Sequence, residues 1–413
     1  MENSLLTGKH LLVILDLTLE LDFLSKNFCG RVVFSKEELK TMELNSTTDV
    51  YLVGNIKLFD DYNFLESNVF IVKDYSSNYE LTQYKIIELG QVPINMFNVG
   101  VYFRSWFSDS YDWFNAITSK HEFQSLTEST KGSNAFRKGI YLTPVEKTPS
   151  GDLSFNLLRC SSNLSGPTEN FTYTDNLIVQ SVNLIGEKFF LVKQEVNHVL
   201  AQVYENKKIF SDDKTSERKA KIKQHSDKTK DMPKTGLMAF CTFYSSYVNG
   251  KFTDDKLKKL KSAVDVGSKD FDFTYKDTSA LTKLRFKLKS CVKNPSLTKS
   301  FDVILYPNSV FMMALDSNRL YTHEIVPPNL PNDLTPTRLG YVVRSSKTKA
   351  IYKDSHTYLK MSDDKLILLE KPTDEEVARL KDLYFKENTT DELIEYDGFN
   401  FSLNLGDYFQ PKI

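Results

Sequence analysis

A mainly β protein, α+β overall, is what the sequence predicts, and three observations predict it. From Gly139 to Arg344, short β-branched and aromatic runs alternate with Gly, Pro, Asn and Asp, the texture of a sandwich or barrel. Within that stretch Lys283-Leu-Arg-Phe-Lys-Leu-Lys alternates strictly, which places Leu284, Phe286 and Leu288 on one face of a strand and Lys283, Arg285, Lys287 and Lys289 on the other. Further on, Asp374-Glu-Glu-Val-Ala-Arg-Leu-Lys-Asp-Leu-Tyr joins good helix formers to an acidic first turn, which predicts a helix.

Composition bounds the classes of function. Hydrophobic residues make up 40% of the 413 and charged residues 26%, with only 16 Gly and 13 Pro, so most of the chain packs and no long linker or collagenous stretch is present. A net charge of −1 excludes a surface that is basic throughout, because phosphate binding needs clustered Lys and Arg, and any basic surface is therefore local. The four cysteines form no C-x-x-C pair, which argues against a zinc knuckle or disulfide framework and fits a reducing compartment. The apolar run Leu11 to Leu24 is broken by Asp16, Glu20 and Asp22 and lacks the flanks of a secretion signal, so an intracellular protein with no membrane span is expected.

Taken in order, residues 1–95 read as a small mixed α/β unit, with strand-like runs at Leu11–Leu15, Val50–Val53 and Val69–Val72. Ser108 to Ser125, with Tyr111, Phe114, Ile117 and Phe123 near helical spacing, predicts an amphipathic helix. The β-rich region fills residues 96–350, with a Lys-rich insertion at about 246–295. Residues 351–413 form a C-terminal extension with one helix and a β-like Phe399-Asn-Phe-Ser-Leu-Asn-Leu, packing on the core. Two basic clusters stand out: Lys207 to Lys234, with ten Lys or Arg against five Asp or Glu, and Lys256-Leu-Lys-Lys-Leu-Lys. Such runs are more often solvated faces than ligand sites.

Among six histidines one stands in an H-x-D pattern, His225-Ser226-Asp227; residues i and i+2 of an extended segment point the same way, so imidazole and carboxylate can share one metal. A second histidine follows in Asn318-Arg-Leu-Tyr-Thr-His323, and after a Pro-rich turn comes Arg338-Leu-Gly-Tyr-Val-Val-Arg344. Two histidines and one carboxylate on one face of an octahedral iron leave three positions free, enough for a bidentate 2-oxo acid and dioxygen. Two arginines match the two anionic ends of a dicarboxylate, since a guanidinium pairs with a carboxylate through a planar fork. His10, His121, His198 and His356 lack any such pattern and read as structural.

With these residues the chain resembles the AlkB branch of the iron(II)- and 2-oxoglutarate-dependent dioxygenases. Four stretches carry the resemblance: Leu200-Ala-Gln-Val-Tyr204, His225-Ser-Asp-Lys228, Asn318-Arg-Leu-Tyr-Thr-His-Glu-Ile325, and the Arg-x5-Arg from Arg338 to Arg344. It covers roughly residues 102–344. Their order and the spacing of the last two match the family; the two histidines lie further apart than is usual there, Gln202 stands where Asn is usual, and Gly340 where a polar side chain is common.

The resemblance implies a double-stranded β-helix (jelly roll) catalytic domain with flanking helices. It implies His225, Asp227 and His323 as ligands of Fe(II), Arg338 on the C5 carboxylate of 2-oxoglutarate, Arg344 near its C1 carboxylate, and Tyr204 and Gln202 beside the co-substrate. It further implies that 2-oxoglutarate and O2 are converted to succinate and carbon dioxide while a substrate C–H bond is hydroxylated; on an N-methyl group the product releases formaldehyde, which is demethylation. Single-stranded or flipped-out nucleic acid is then the expected partner, because a stacked base cannot reach the metal. Arg137, Tyr141, Arg159 and Lys228 are the expected substrate contacts. The alternatives are the same chemistry on a protein or small molecule, and a catalytically silent β-helix binding protein.

Overall fold

In the computed structural model, the described residues are 5–15, 21–60, 64, 67–80, 83–127, 134–160, 164–191, 194–211, 214–264 and 271–413. Part of the N-terminal apolar run (16–20), of the loop after Arg159 (161–163) and of the Lys-rich insertion (265–270) lies outside them. The fold is mainly β with few helices. Among the described residues no helix is long and apolar enough to cross a membrane.

The N-terminal unit is a five-stranded parallel sheet in the order Arg31–Val33, His10–Ile14, Asp49–Asn55, Asn68–Ser77, Lys85–Ile87. Its central strands are continuous apolar runs because a parallel sheet is covered on both faces. Leu11, Val13, Val50 and Leu52 bury into a cluster of the unit's own, whereas Leu12, Ile14, Tyr51 and Val53 join the main core, so the unit is docked rather than tethered. His10 stacks on Phe189 at 4.0 Å and Lys188 pairs with Asp49 at 2.9 Å across the same contact.

Nine strands frame the site. In chain order they are β1 (Asn134–Thr143), β2 (His198–Tyr204), β3 (Ile222–His225), β4 (Leu237–Tyr244), β5 (Lys283–Leu288), β6 (Ser300–Ile304), β7 (Ser309–Ala314), β8 (Tyr321–Val326) and β9 (Arg338–Arg344). The large sheet runs β1-β2-β9-β4-β7 and continues into Gly100–Phe103 and Ile94–Met96; the small sheet runs β3-β8-β5-β6. Phe240, Phe311 and Met313 of the large sheet and Phe286, Phe301 and Tyr321 of the small one share one core, with the Phe286 and Phe311 rings 5.3 Å apart. The side chains that β2, β4, β8 and β9 turn toward this shared interior are the ones that line the site.

Several expectations are corrected. The region 139–344 is not all β: helix α1 (Tyr173–Phe189) crosses the outer face of the large sheet. Thr172 and Asp175 close a reciprocal capping box at its start, and Ile178, Val182, Ile185 and Phe189 recur at helical spacing, a signal its β-branched content obscures. The helix expected over 108–125 is confined to Trp113–Thr118, because Asp112 caps it at Asn115 N–H and the chain turns into the strand Gln124–Thr127. Residues Phe399–Leu405 form no strand; the carbonyls of Phe399 and Phe401 instead accept from the buried Arg159 and Lys230.

Nor is 246–295 a single insert. Its outer part is a set of small hairpins, while β5 pairs with β8, Phe286 opposite His323. On β5 the outer face is not freely basic: Arg285 pairs with Asp302 at 2.7 Å and Lys287 with Glu324 at 3.0 Å. Lys289, expected outside, is buried just past the strand, where its ammonium donates to the Glu387 and Thr390 carbonyls at the end of the C-terminal helix α2 (Asp374–Thr389).

On the α1 side of the large sheet, buried His121 sits between Glu169 (2.9 Å) and Asp175 (2.8 Å), and the Tyr341 hydroxyl donates to Asp175. Burial disfavours its charged form, but the two carboxylates outweigh burial and raise the imidazole to about 9. A folded value above the unfolded 6.5 means that the stabilisation is complete below pH 6.5 and disappears as pH rises through about 9. Denaturant unfolding across this range should therefore show wild type losing about 3 kcal/mol relative to His121→Gln between pH 6 and pH 10. A constant gap would mean that the imidazole is not charged in the folded state.

Candidate metal centre

The cross-strand register assembles the site. His225 at the end of β3 lies opposite His323 on β8, and their rings are 4.5 Å apart. Two residues after His225, the chain has left the strand and Asp227 is buried, its Oδ1 3.5 Å from His225 Nε2. One ligand atom from each of His225, Asp227 and His323 lies within 4.8 Å of the others, the only such grouping found among the described residues. The three residues that the sequence picks out thus converge.

Each ligand is oriented by a neighbour. His225 Nδ1 faces the Lys223 carbonyl at 2.9 Å, a contact that orients the ring and directs Nε2 toward Asp227. The Asp227 N–H donates to Asn318 Oδ1 and Asn318 Nδ2 donates back to the Asp227 carbonyl, both at 2.9 Å. Asp227 Oδ2 accepts from Arg344 Nη2 at 2.9 Å. Burial by itself would raise the Asp227 carboxyl; Arg344 and the two histidines outweigh it and hold the group far below the usual carboxylate range, so it is ionised. Burial, and then the proximity of His225, lowers His323 to about 3, so that imidazole is neutral. The ionised Asp227 carboxylate and the neutral His323 imidazole are in the forms that bind metal.

Around the triad lies a cavity of about 380 Å³. On β9, residues 338, 340, 342 and 344 share the inward face by the two-residue period, and all four line it. Arg338 lies opposite Tyr204, its guanidinium carbon 3.8 Å over the tyrosine ring centre. Gly340 makes that stacking feasible, since a Cβ there would stand 2.7 Å from Arg338 Nη1. Arg338 is buried, yet its Nε and Nη2 have no hydrogen-bond partner, and Arg344 Nε and His323 Nδ1 are also unpartnered. Unpaired buried donors are costly, and a guanidinium left open beside a three-ligand cluster is a site shaped for an anion. The Tyr204 hydroxyl donates to Gln202 Oε1 at 3.2 Å beside it.

Of the expected substrate contacts, Arg137, Tyr141 and Lys228 line this cavity and Arg159 does not. Arg137 is buried with Nε unpartnered; Tyr141 contacts Cys160 Sγ at 3.3 Å; Lys228 lies 4.3 Å over the Tyr384 ring. Arg159 instead forms a buried ion pair with Asp231 at 2.7 Å and donates to the Phe399 and Phe401 carbonyls, tying down the C-terminal segment. Lys221 and Lys223 stand exposed on the cavity rim with no ion-pair partner among the described residues. The cluster at Lys256–Lys261, by contrast, is partly neutralised by Asp255 and Asp333. Phe240 and Phe286, at 5.4 and 5.8 Å from the His323 ring, and Asn388, which reaches the cavity from α2, had no signal in the sequence.

No protein-family model matches the chain, and no curated protein matches it. Among solved structures it is similar to a prolyl-4-hydroxylase from Pseudomonas putida at 10% identity and a TM-score of 0.30, over 60% of this chain and 91% of that one. The reading of the site rests on its own geometry.

Proposed function

We propose that this chain is an iron(II)- and 2-oxoglutarate-dependent dioxygenase of AlkB-like type, with its two facing sheets forming a double-stranded β-helix, and that it oxidatively demethylates alkylated nucleic-acid bases. The observation that carries the reaction class is the juxtaposition of a two-histidine, one-carboxylate cluster with a buried, stacked and unpaired arginine in one cavity. The donor set, two imidazoles and an ionised carboxylate, suits iron(II) and leaves coordination positions for a 2-oxo acid and O2. When bound, the iron and co-substrate supply the oxidising power for hydroxylation; the chain supplies position and environment.

In this reading His225, Asp227 and His323 hold the metal, and the Arg338 fork receives the distal carboxylate with Tyr204 and Gln202 beside it. Arg344 orients Asp227 and leaves its Nε toward the proximal carboxylate. Phe240 and Phe286 keep water from the His323 side. The substrate approaches past Arg137, Tyr141 and Lys228. What favours a nucleic-acid substrate is the pair of exposed rim lysines, Lys221 and Lys223, which have no ion-pair partner among the described residues and could meet a phosphate.

The test is anaerobic loading with Fe(II) and 2-oxoglutarate, admission of O2, and measurement of succinate, then of formaldehyde from methylated single-stranded oligonucleotides. Absence of 2-oxoglutarate-dependent succinate sinks the oxygenase; succinate without oligonucleotide-dependent formaldehyde sinks the substrate assignment and returns protein or small-molecule targets. With an active oligonucleotide, Lys221→Glu with Lys223→Glu should raise KM, leave kcat nearly unchanged and reduce the salt slope of binding by about 2. An unaltered salt slope would remove both lysines from the substrate path.

A further inference from the structure

We infer that helix α2 is a working part of the metal centre, in which Asn388 and Glu387 position the 226–229 loop that presents Asp227. The inference rests on the metal reading above. Residues 226–229 lie in neither strand nor helix, so their backbone N–H groups have no ladder partners and must be satisfied some other way. One face of α2 satisfies two of them, those of Ser226 and Thr229. Tyr384, Glu387 and Asn388, at i, i+3 and i+4, share that face.

The Ser226 N–H donates to Asn388 Oδ1 at 2.7 Å, and Asn388 Nδ2 donates to the Tyr384 carbonyl at 2.9 Å, so both ends of the amide are engaged and its orientation is fixed. Glu387 Oε1 accepts from the Thr229 N–H at 3.1 Å and from the Thr229 hydroxyl, while its Oε2 accepts from the Tyr396 hydroxyl at 2.5 Å. Between these two anchors the Lys228 ammonium lies 4.3 Å over the Tyr384 ring. From the opposite side Asn318 holds the Asp227 peptide by its N–H and carbonyl.

The loop is therefore gripped at 226, 228 and 229 by one helix and at 227 by Asn318, and the Asp227 carboxylate it presents is held between Arg344 and His225. Loosening these anchors would change the direction in which the loop presents that carboxylate to His225 and His323. Partners of this kind, one step removed from the metal, typically change affinity by about 10–100-fold. Asn388 and Glu387 are positioning residues in this sense; neither needs to touch the metal.

The experiment uses the full chain and Co(II) alone as probe, titrated through its visible ligand-field absorption, with thermal unfolding of the metal-free protein alongside. Asn388→Leu, which removes the acceptor, should lose about tenfold or more in Co(II) affinity and alter the absorption spectrum, with little change in metal-free melting temperature. Asn388→Asp, which keeps an acceptor oxygen for the Ser226 N–H, should recover most of both. If Asn388→Leu lowers the melting temperature but binds Co(II) as wild type does, α2 is a structural cap and the inference fails. Should Asn388→Leu not fold, Thr229→Val carries the same test: weaker Co(II) binding supports the inference and equal binding overturns it. A wild type that takes up no Co(II) overturns the metal reading and this inference together, whereas equal affinity of wild type and variant overturns this inference alone.

Discussion

His225→Ala is expected to lower Fe(II) affinity by more than roughly a hundredfold and to abolish 2-oxoglutarate turnover while leaving the fold intact. The lower bound follows because loss of a residue that merely orients a ligand already costs about 10–100-fold, and His225 supplies a ligand atom itself. Folding should tolerate the change: the ring is 34% exposed, and its hydrogen bond among the described residues is to the Lys223 carbonyl two residues away. Asp227→Ala should remove metal binding too, but with a different side effect. It leaves the buried Arg344 guanidinium without its partner, a loss of about 3–5 kcal/mol for a broken buried pair. Anaerobic iron titration and unfolding of the metal-free variants separate the two effects. Iron binding by His225→Ala at wild-type affinity would remove this residue from the centre.

Arg338→Met should weaken 2-oxoglutarate binding by about 10²–10⁴-fold, as expected from two charge-assisted hydrogen bonds of roughly 1.5–3 kcal/mol each. The same change should not destabilise the co-substrate-free protein. There the guanidinium is buried with Nε and Nη2 unpaired, so an apolar side chain of similar length relieves an unmet desolvation cost while keeping contact with the Tyr204 ring. A fall in affinity together with an unchanged or raised melting temperature is the signature of a residue retained for a ligand. Arg338→Lys should fall between, because an ammonium restores the charge but neither the planar fork nor the stacking. Were Arg338→Met to bind 2-oxoglutarate normally, or to unfold, the arginine would be structural and the co-substrate assignment would fail.

Those two sites illustrate what the sequence makes legible. The pairing of His225 with Asp227 was visible as an H-x-D pattern, although Asp227 stands just past the strand rather than on it, and His323 joined them through the resemblance of its stretch to the AlkB branch. Arg338 and Arg344 were legible as the Arg-x5-Arg of the same resemblance; on the folded strand the two-residue period brings both into the cavity. The helix Asp374–Thr389 was legible through its good helix formers and acidic first turn; its Thr373 cap showed only in the structure. Helix α1 was not, although its capping box is equally local, because a run rich in β-branched residues reads as strand until burial against a sheet decides the matter.

The sequence could settle which residues share a face but not which faces meet. Along the chain Arg159 reads as a substrate contact and Lys289 as an outward-facing strand cation; folding places Arg159 against Asp231 and Lys289 against the end of α2, where ion pairing and the helix-end carbonyls make a buried charge tolerable. Lys283–Leu288 looks like part of an insertion; register with the His323 strand makes it a wall of the core. Asn388 lies more than 160 positions from the loop that it holds, and no local pattern connects them. Propensity, capping and periodicity act over a few residues and are written in the chain. Partnership between distant segments depends on the summed burial of whole sheets and helices, which exists only once the chain has folded.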